Sequence, residues 1–262
     1  MDYPYRNIFD SHAHYESGRF NADRDEVLSR LPRHGVRYVL NAASDLESTL
    51  AGIALAQKYN FVYASAGVHP HEAKDAPEGF IERLRELLQM PKVQALGEIG
   101  LDYHYDFSPR LVQLAVFEQQ LILAREMDLP VIVHDREAHR DVCDLLKKYR
   151  PSGVVHCYSG SAEMAGELLK LGLYIGFTGV VTFKNARKVL EAVRVVPAER
   201  MLIETDCPYM APEPYRGRRC DSGLLRFTAE VLAREKGMCV QGLIDQTTEN
   251  ALELYRIQVA SI

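Results

Sequence analysis

Histidines stand beside acidic or small residues in several short motifs of this 262-residue chain. The motif DSHAH carries His12 and His14 two residues apart, so an extended backbone directs both side chains to the same side. Two imidazoles on one side can bind a single cation. A chance pair at this spacing is the alternative, and the remaining motifs decide between the two.

A glutamate flanked by glycines occurs in ALGEIGLDYH, where Gly97 and Gly100 allow backbone or ligand to approach Glu98 closely. A carboxylate at this position can bridge two metal ions. A helix cap is the alternative, but apolar neighbours predict that Glu98 is largely buried. A buried carboxylate needs a charge partner.

Three further motifs end in residues of the same type. PVIVHDREAH and GVVHCYSG contain His134 and His156, each after an apolar run, and MLIETDCPYMAP contains Glu204 and Asp206. We predict that Asp206 is a catalytic carboxylate, because it can ligate a cation and accept the proton of a water molecule. Glu204 is the alternative for the inward-pointing carboxylate.

These residues together predict a site for divalent metal ions. Six nitrogen and oxygen ligands exceed the number that one tetrahedral zinc uses, but they suit two ions that share a bridging carboxylate. Two ions roughly 3.5–4 Å apart promote hydrolysis by lowering the pKa of water and stabilising the transition state. We expect two divalent ions per subunit, drawn from Zn, Mg, Mn and Co. The candidate ligands are His12, His14, Glu98, His134, His156 and Asp206.

The candidate ligands follow β-branched runs that alternate with helical patterns. Continuous apolar runs such as PVIV, with helices between them, predict a parallel sheet buried on both faces. Eight such units favour an α/β fold of the (β/α)8 TIM-barrel type, with the metal site at the C-terminal ends of the strands. An open doubly wound sheet is the alternative, and the chain lacks its G-x-G-x-x-G fingerprint. Strands are predicted at residues 7–10, 36–42, 62–66, 93–98, 131–134, 153–156, 174–177 and 201–204. Helices are predicted at residues 26–34, 46–59, 78–89, 110–127, 138–149, 162–171, 185–195, 223–236 and 241–255.

The composition is typical of a globular protein, with 47% hydrophobic and 26% charged residues. No linker divides the chain, so we predict one domain over residues 1–262. No apolar run approaches the ~18 residues of a membrane span, so no membrane partner is expected. Five cysteines without a C-x-x-C spacing, and no secretory signal pattern, predict a reduced cytoplasmic protein. The net charge of −5 excludes a polycation, so any binding of phosphate must be local.

Six motifs in order, DSHAH, GVHPHEA, GEIGLDYH, PVIVHDRE, VVHCYSG and ETDCPY, resemble the TatD family of metal-dependent deoxyribonucleases. The resemblance implies a barrel of the amidohydrolase superfamily and 3′ to 5′ exonuclease activity on DNA, single-stranded or at 3′ ends, and sometimes on RNA. It places one ion between His12, His14, Glu98 and Asp206, and the other between Glu98, His134 and His156. It also implies that Asp206 is the base and that His69 or His71 lies near the scissile phosphate.

One loop departs from the family pattern RGKRN-x-P, because Cys220 and Ser222 stand where Asn and Pro are usual. The same loop keeps a basic run, which we expect at the barrel mouth, where it neutralises phosphates. A solvated surface run is the alternative. The expected basic residues are Arg136, Lys184, Arg216, Arg218 and Arg219. The full set of expected substrate contacts is His69, His71, Arg136, Arg216, Arg218 and Glu204.

Aromatic and thiol side chains near the strand ends admit two interpretations each. Tyr103, Tyr158 and Tyr209 can stack on unpaired bases or serve as packing residues. Cys157 and Cys207 are expected to be inert thiols that point away from the site, because each follows a ligand in extended backbone.

Two other functions are compatible with the sequence. The same barrel and metals can hydrolyse a small ester, lactone or amide, since fold does not fix substrate. A non-catalytic barrel that binds nucleic acid is the other, although no candidate ligand is missing. A monomer is favoured.

Overall fold

A computed structural model describes residues 3–258 as a single eight-stranded parallel sheet in sequential order. Each strand pairs with the next, and a parallel bridge between Ala13 and Cys207 joins the last segment to the first. The predicted (β/α)8 barrel is therefore confirmed. The strands are β1 (Ile8–Ala13), β2 (Val36–Asn41), β3 (Val62–Ala66), β4 (Val93–Asp102), β5 (Val131–Arg136), β6 (Gly153–Val155), β7 (Tyr174–Phe177) and β8 (Met201–Ile203).

Nine α-helices of the described part alternate with the strands, and the predicted helical segments match them closely. The helix bounds are α1 (Arg24–Arg30), α2 (Leu46–Lys58), α3 (Phe80–Leu87), α4 (Arg110–Met127), α5 (His139–Tyr149), α6 (Ala162–Lys170), α7 (Arg187–Val195), α8 (Leu225–Lys236) and α9 (Val240–Leu254). Across residues 3–258, none of these helices is long and apolar enough to cross a membrane.

Two hydrophobic clusters hold the barrel together. The larger one lies between the strands and the surrounding helices, and the smaller one fills the barrel interior. Phe9 of β1 and Tyr38 of β2 belong to the interior cluster, together with Tyr255 at the end of α9. The Tyr255 ring is fully buried, and its hydroxyl donates to the Ser11 carbonyl at 3.2 Å. The C-terminal helix thus closes the barrel on the side away from the C-terminal strand ends.

Strand lengths differ from the predictions where the candidate ligands lie. β1 runs on through most of DSHAH, and β4 extends four residues beyond Glu98 to Asp102. β8 stops at Ile203, so Glu204, Thr205 and Asp206 form an irregular segment, in which Asp206 has a positive φ of 57°. Side-chain alternation therefore does not extend to this segment.

We predict that Tyr255→Ala lowers the free energy of unfolding by about 3–5 kcal/mol, because it leaves a cavity at the base of the barrel. Tyr255→Phe keeps the packing and loses one hydrogen bond, so its cost is about 1 kcal/mol. Denaturant unfolding followed by circular dichroism measures both. Equal stability of wild type and Tyr255→Ala contradicts the role of α9 in closing the barrel.

Candidate metal centre

The C-terminal ends of the strands open into a cavity of about 940 Å³. Its floor contains His14, Glu98, His134, His156 and Asp206. Of the six candidate ligands, only His12 is absent from the cavity lining, because its side chain is fully buried. The barrel thus brings together ligand-type side chains from segments far apart in the sequence.

The first donor group joins β1 to the segment after β8. The Nε2 atoms of His12 and His14 lie 3.0 Å apart. Asp206 Oδ1 lies 3.3 Å from His14 Nε2 and 3.9 Å from His12 Nε2. Oε2 of Glu98 completes the group at 3.3 Å from His12 Nε2. Three side chains of this group, those of His12, His14 and Asp206, form one of the arrangements that can hold a metal ion.

The second donor group surrounds the other oxygen of the same glutamate. Oε1 of Glu98 lies 2.7 Å from His156 Nε2 and 2.8 Å from His134 Nδ1. His69 Nε2 approaches the same oxygen at 3.3 Å. The sequence predicted His69 as a substrate contact, but the structure places its imidazole within the donor cluster. The two oxygens of Glu98 therefore face two different sets of imidazoles.

Backbone pairing fixes the first donor group. The amide of Asp206 donates to the His12 carbonyl at 2.9 Å, and the amide of His14 donates to the Cys207 carbonyl at 2.8 Å. These two hydrogen bonds join the ends of β1 and β8 and hold the three side chains at one level. Barrel closure and site assembly are thus the same event.

Hydrogen bonds behind the imidazoles set which ring nitrogen faces the cluster. His14 Nδ1 lies 3.0 Å from the Ala42 carbonyl, so it carries the proton and Nε2 presents a lone pair. His134 is reversed, because its Nε2 lies 3.1 Å from Asp102 Oδ2 and Nδ1 faces Glu98. The sequence analysis missed Asp102, although it lies four residues after Glu98 in the same strand and so on the same face.

Charge partners keep the carboxylates ionised. Burial alone raises the pKa of Glu98, but His156, His69 and His12 outweigh it and hold this pKa well below its usual range. The pKa of Asp206 is lowered in the same way, since its hydrogen bond with His14 overcomes the effect of burial. Both groups therefore offer charged oxygens.

The imidazoles divide by their neighbours. Burial lowers the pKa of His12, and that of His69 to about 4, so both rings are neutral and can donate a lone pair. For His14 and His156, burial is outweighed by hydrogen bonds and charges from nearby carboxylates, which raise each pKa well above the usual value. Protons occupy these two rings when no metal is bound.

The donor chemistry fits divalent cations. The stacked rings of His12 and His156, with centroids 4.0 Å apart, cannot both carry a proton without strong repulsion. Imidazole nitrogens and carboxylate oxygens are the ligands that zinc and related ions accept. The arrangement can hold two cations that share Glu98, one in each donor group.

The structure places Glu204 elsewhere than predicted. Its side chain is fully buried and does not line the cavity, so it is not positioned as a substrate contact. Its oxygens accept from the Cys157 amide and lie 3.6 Å from His156 Nδ1. Gly176 allows this burial, because a Cβ there would lie 2.5 Å from the carboxylate. Glu204 thus supports His156 from behind.

The expected basic contacts separate in space. Arg136 lines the cavity, as do His69 and His71. Arg216 lies over the ring of Phe183, a lining residue, whereas Arg218 and Lys184 are exposed outside the lining. Arg219 binds Asp23 through both guanidinium NH groups instead of facing the cavity. Lys188 supplies a lining cation that the sequence analysis did not single out.

The aromatic and thiol expectations are also partly corrected. Tyr209 lines the cavity and is exposed, and Tyr158 lines it but is buried, with its hydroxyl bound to the Ser161 carbonyl. Tyr103 donates to Asp141 away from the cavity. Cys207 is buried as predicted, but Cys157 lines the cavity, because the backbone turns there at φ 44° instead of remaining extended. Burial raises the pKa of the Cys157 thiol, so it stays protonated.

A parallel barrel with imidazoles and carboxylates clustered at its C-terminal strand ends defines a metal-dependent hydrolase of the amidohydrolase-like type. Residues 9–256 match the family model described as TatD related DNase. The chain therefore belongs to the TatD family of metal-dependent hydrolases.

Individual relatives agree with this assignment. The uncharacterized metal-dependent hydrolase YabD of Bacillus subtilis is 40% identical over 95% of this chain and 99% of its own length. The 3′-5′ ssDNA/RNA exonuclease TatD of Klebsiella pneumoniae is 35% identical over 97% of this chain and 100% of its own length. YJJV, a TatD homolog from Escherichia coli, has a crystal structure similar to this one, with a TM-score of 0.90 and 30% identity over 96% of this chain and 99% of that one.

We predict that divalent metal raises the melting temperature more at pH 8.5 than at pH 6. The folded pKa values of His14 and His156 lie above the unfolded value of 6.5, so the metal-free protein loses their stabilisation as pH rises through those folded values. Metal replaces the same protons, and its binding strengthens as they leave. Thermal unfolding with EDTA and with Zn²⁺ or Mn²⁺ measures the difference.

The control for this pH effect is His104→Gln, which changes an exposed histidine outside the donor groups. It should retain the wild-type dependence, and His14→Gln should reduce it. A metal-induced shift that is the same at both pH values contradicts proton displacement at the cluster.

Proposed function

We propose that this protein hydrolyses phosphodiester bonds of single-stranded DNA or RNA ends, as a 3′ to 5′ exonuclease that uses two divalent metal ions. The observation that carries the proposal is the division of the Glu98 carboxylate between two donor groups at the floor of an open cavity. A bridging carboxylate between two ions is the arrangement that metal-dependent phosphodiesterases need.

His12, His14, Asp206 and Glu98 would hold one ion, and Glu98, His134 and His156 the other. His69 is close enough to Glu98 to adjust the second group. When bound, the ions would neutralise developing charge on the phosphate and promote ionisation of the attacking water. Zn, Mn, Co and Mg are all compatible with this mixed set of ligands.

The chain's own residues supply proton transfer and orientation. Asp206 is ionised, and its side chain is 14% exposed, so it can reach water in the cavity and accept a proton. Asp102 fixes His134 through its Nε2, and the Ala42 carbonyl fixes His14 through its Nδ1. His71 is partly exposed at the cavity wall and is placed to contact a phosphate oxygen.

The nucleic-acid substrate is supported by two lines of argument. Relatives that cover nearly the whole chain are named 3′-5′ ssDNA/RNA exonucleases. Arg136 and Lys188 line the cavity and can neutralise backbone phosphates. A single domain over residues 1–262, acting as a cytoplasmic monomer, completes the proposal, and the five free cysteines suit a reduced compartment.

We predict that wild type binds two equivalents of Mn²⁺ or Zn²⁺. His14→Ala should remove one equivalent and His134→Ala the other, because each histidine belongs to one donor group only. Glu98→Gln should weaken both sites by more than about tenfold. Isothermal titration calorimetry and metal analysis after dialysis measure this, with His104→Gln as the control. Loss of a single equivalent in Glu98→Gln contradicts the bridge.

We expect wild type with added metal to shorten a 5′-labelled single-stranded oligonucleotide stepwise and to release mononucleotide from a 3′-labelled one. Asp206→Asn should lower the rate about 10²–10⁴-fold, since it removes the proton acceptor. Glu98→Ala should abolish cleavage. Denaturing gels over a time course provide the measurement.

Glu72→Gln is the matched control for the cleavage assay, because Glu72 lines the cavity outside both donor groups. It should cleave at close to the wild-type rate. A wild type that binds two equivalents of metal and leaves all oligonucleotides intact contradicts the nuclease and favours a small ester, lactone or amide as substrate.

A further inference from the structure

Two aromatic rings lie exposed at the cavity wall, in the loop between β4 and α4. Tyr105 is 47% exposed and Phe107 is 55% exposed, yet both line the cavity that contains the donor groups. Their ring centroids are 5.1 Å apart with an interplanar angle of 23°, so the rings stack on each other. Exposed, stacked apolar surface beside a reaction site indicates a binding role.

The loop holds these rings in a fixed position. Asp102 Oδ1 accepts from the amides of His104 at 3.0 Å and Tyr105 at 2.9 Å. On the other side of the rings, buried Ser108 donates to the His71 carbonyl at 2.9 Å and accepts from the Lys74 amide at 3.0 Å. The rings are thus presented by an anchored turn, which reduces the entropy cost of binding to them.

The same anchor connects the rings to the donor groups. While Oδ1 of Asp102 holds the loop, its Oδ2 lies 2.9 Å from His71 Nε2 and 3.1 Å from His134 Nε2. The edge of His71 in turn packs against Phe107, with centroids 4.8 Å apart. A single buried carboxylate therefore sets the distance between the aromatic pair and the candidate metal ligand His134.

A cation accompanies the rings. The Arg136 guanidinium lies over the Tyr105 ring, 4.7 Å from its centroid, and Arg136 also lines the cavity. Among residues 3–258, no carboxylate forms an ion pair with this guanidinium, so its charge is available to a ligand. A flat apolar surface next to a free cation matches a nucleobase and its neighbouring phosphate.

We propose that Tyr105 and Phe107 form a stacking surface for one unpaired nucleobase of the substrate, with Arg136 contacting the adjacent phosphate. This inference rests on the proposed nuclease function and specifies how its substrate is recognised. Since every base has a π face, the surface selects single strands over duplexes and tolerates any base. Phe107, the more exposed ring, is the outer contact.

The test uses the metal-loaded protein and a phosphorothioate oligonucleotide that resists cleavage and carries 2-aminopurine at successive positions from the 3′ end. Stacking on an aromatic side chain quenches 2-aminopurine, so wild type should quench it at one position. A Tyr105→Leu/Phe107→Leu double variant should abolish this quenching and bind at least about tenfold more weakly. Leu111→Ala, which truncates a side chain that is 80% exposed and lies outside the cavity lining, is the matched control.

An oligonucleotide that is abasic at the quenched position provides the second arm. Wild type should bind it about tenfold more weakly than the normal strand, and the double variant should bind both equally. Unchanged quenching in the double variant, or no binding by wild type, overturns the stacking surface. Cleavage of unmodified DNA is measured separately. Ring-independent cleavage retains the nuclease and removes the surface, whereas ring-dependent binding without cleavage does the reverse.

Discussion

The buried negative charge of Glu98 is the constraint on which the site depends. The side chain is 4% exposed, and five imidazoles approach its two oxygens at distances of 2.7–3.6 Å. A carboxylate removed from water is costly unless positive charge compensates it. Compensation comes either from protons on the imidazoles or from divalent cations between them. Proton and metal occupancy are therefore alternatives at one cluster, and the protein's stability is linked to both.

The barrel supplies this charge balance through its closure. The imidazoles around Glu98 arrive from β1, from the segment after β3, from β5 and from the residue after β6. No short segment could hold them, because consecutive residues of a strand diverge. Hydrogen bonds between the His12 and Asp206 backbones close the ring of strands at the level of the cluster. Fold and site thus stabilise each other, and damage to one is expected to weaken the other.

Much of this was predictable because ligands and strands share one sequence signal. Apolar runs that end in His or Glu predicted the barrel, and its geometry brings all six candidate ligands together. The predictions failed where the backbone leaves regular geometry. Alternation could not place Glu204 or Cys157, because both follow strands that end early and Cys157 adopts a positive φ. Asp102 was missed because β4 is longer than its apolar run suggested.

The residues that sequence reasoning placed least well are those on loops, and this has a physical reason. Strand ends are positioned by the sheet, whereas a loop side chain such as Arg219 is positioned by whichever neighbour binds it, here Asp23. The barrel recurs in the phosphotriesterase homology protein of Escherichia coli at 16% identity and a TM-score of 0.65, so this fold alone does not define a substrate. The donor groups determine that the chain can hydrolyse. The choice of substrate must then lie in the loop residues that surround them, with the rings of Tyr105 and Phe107 nearest the cluster through Asp102.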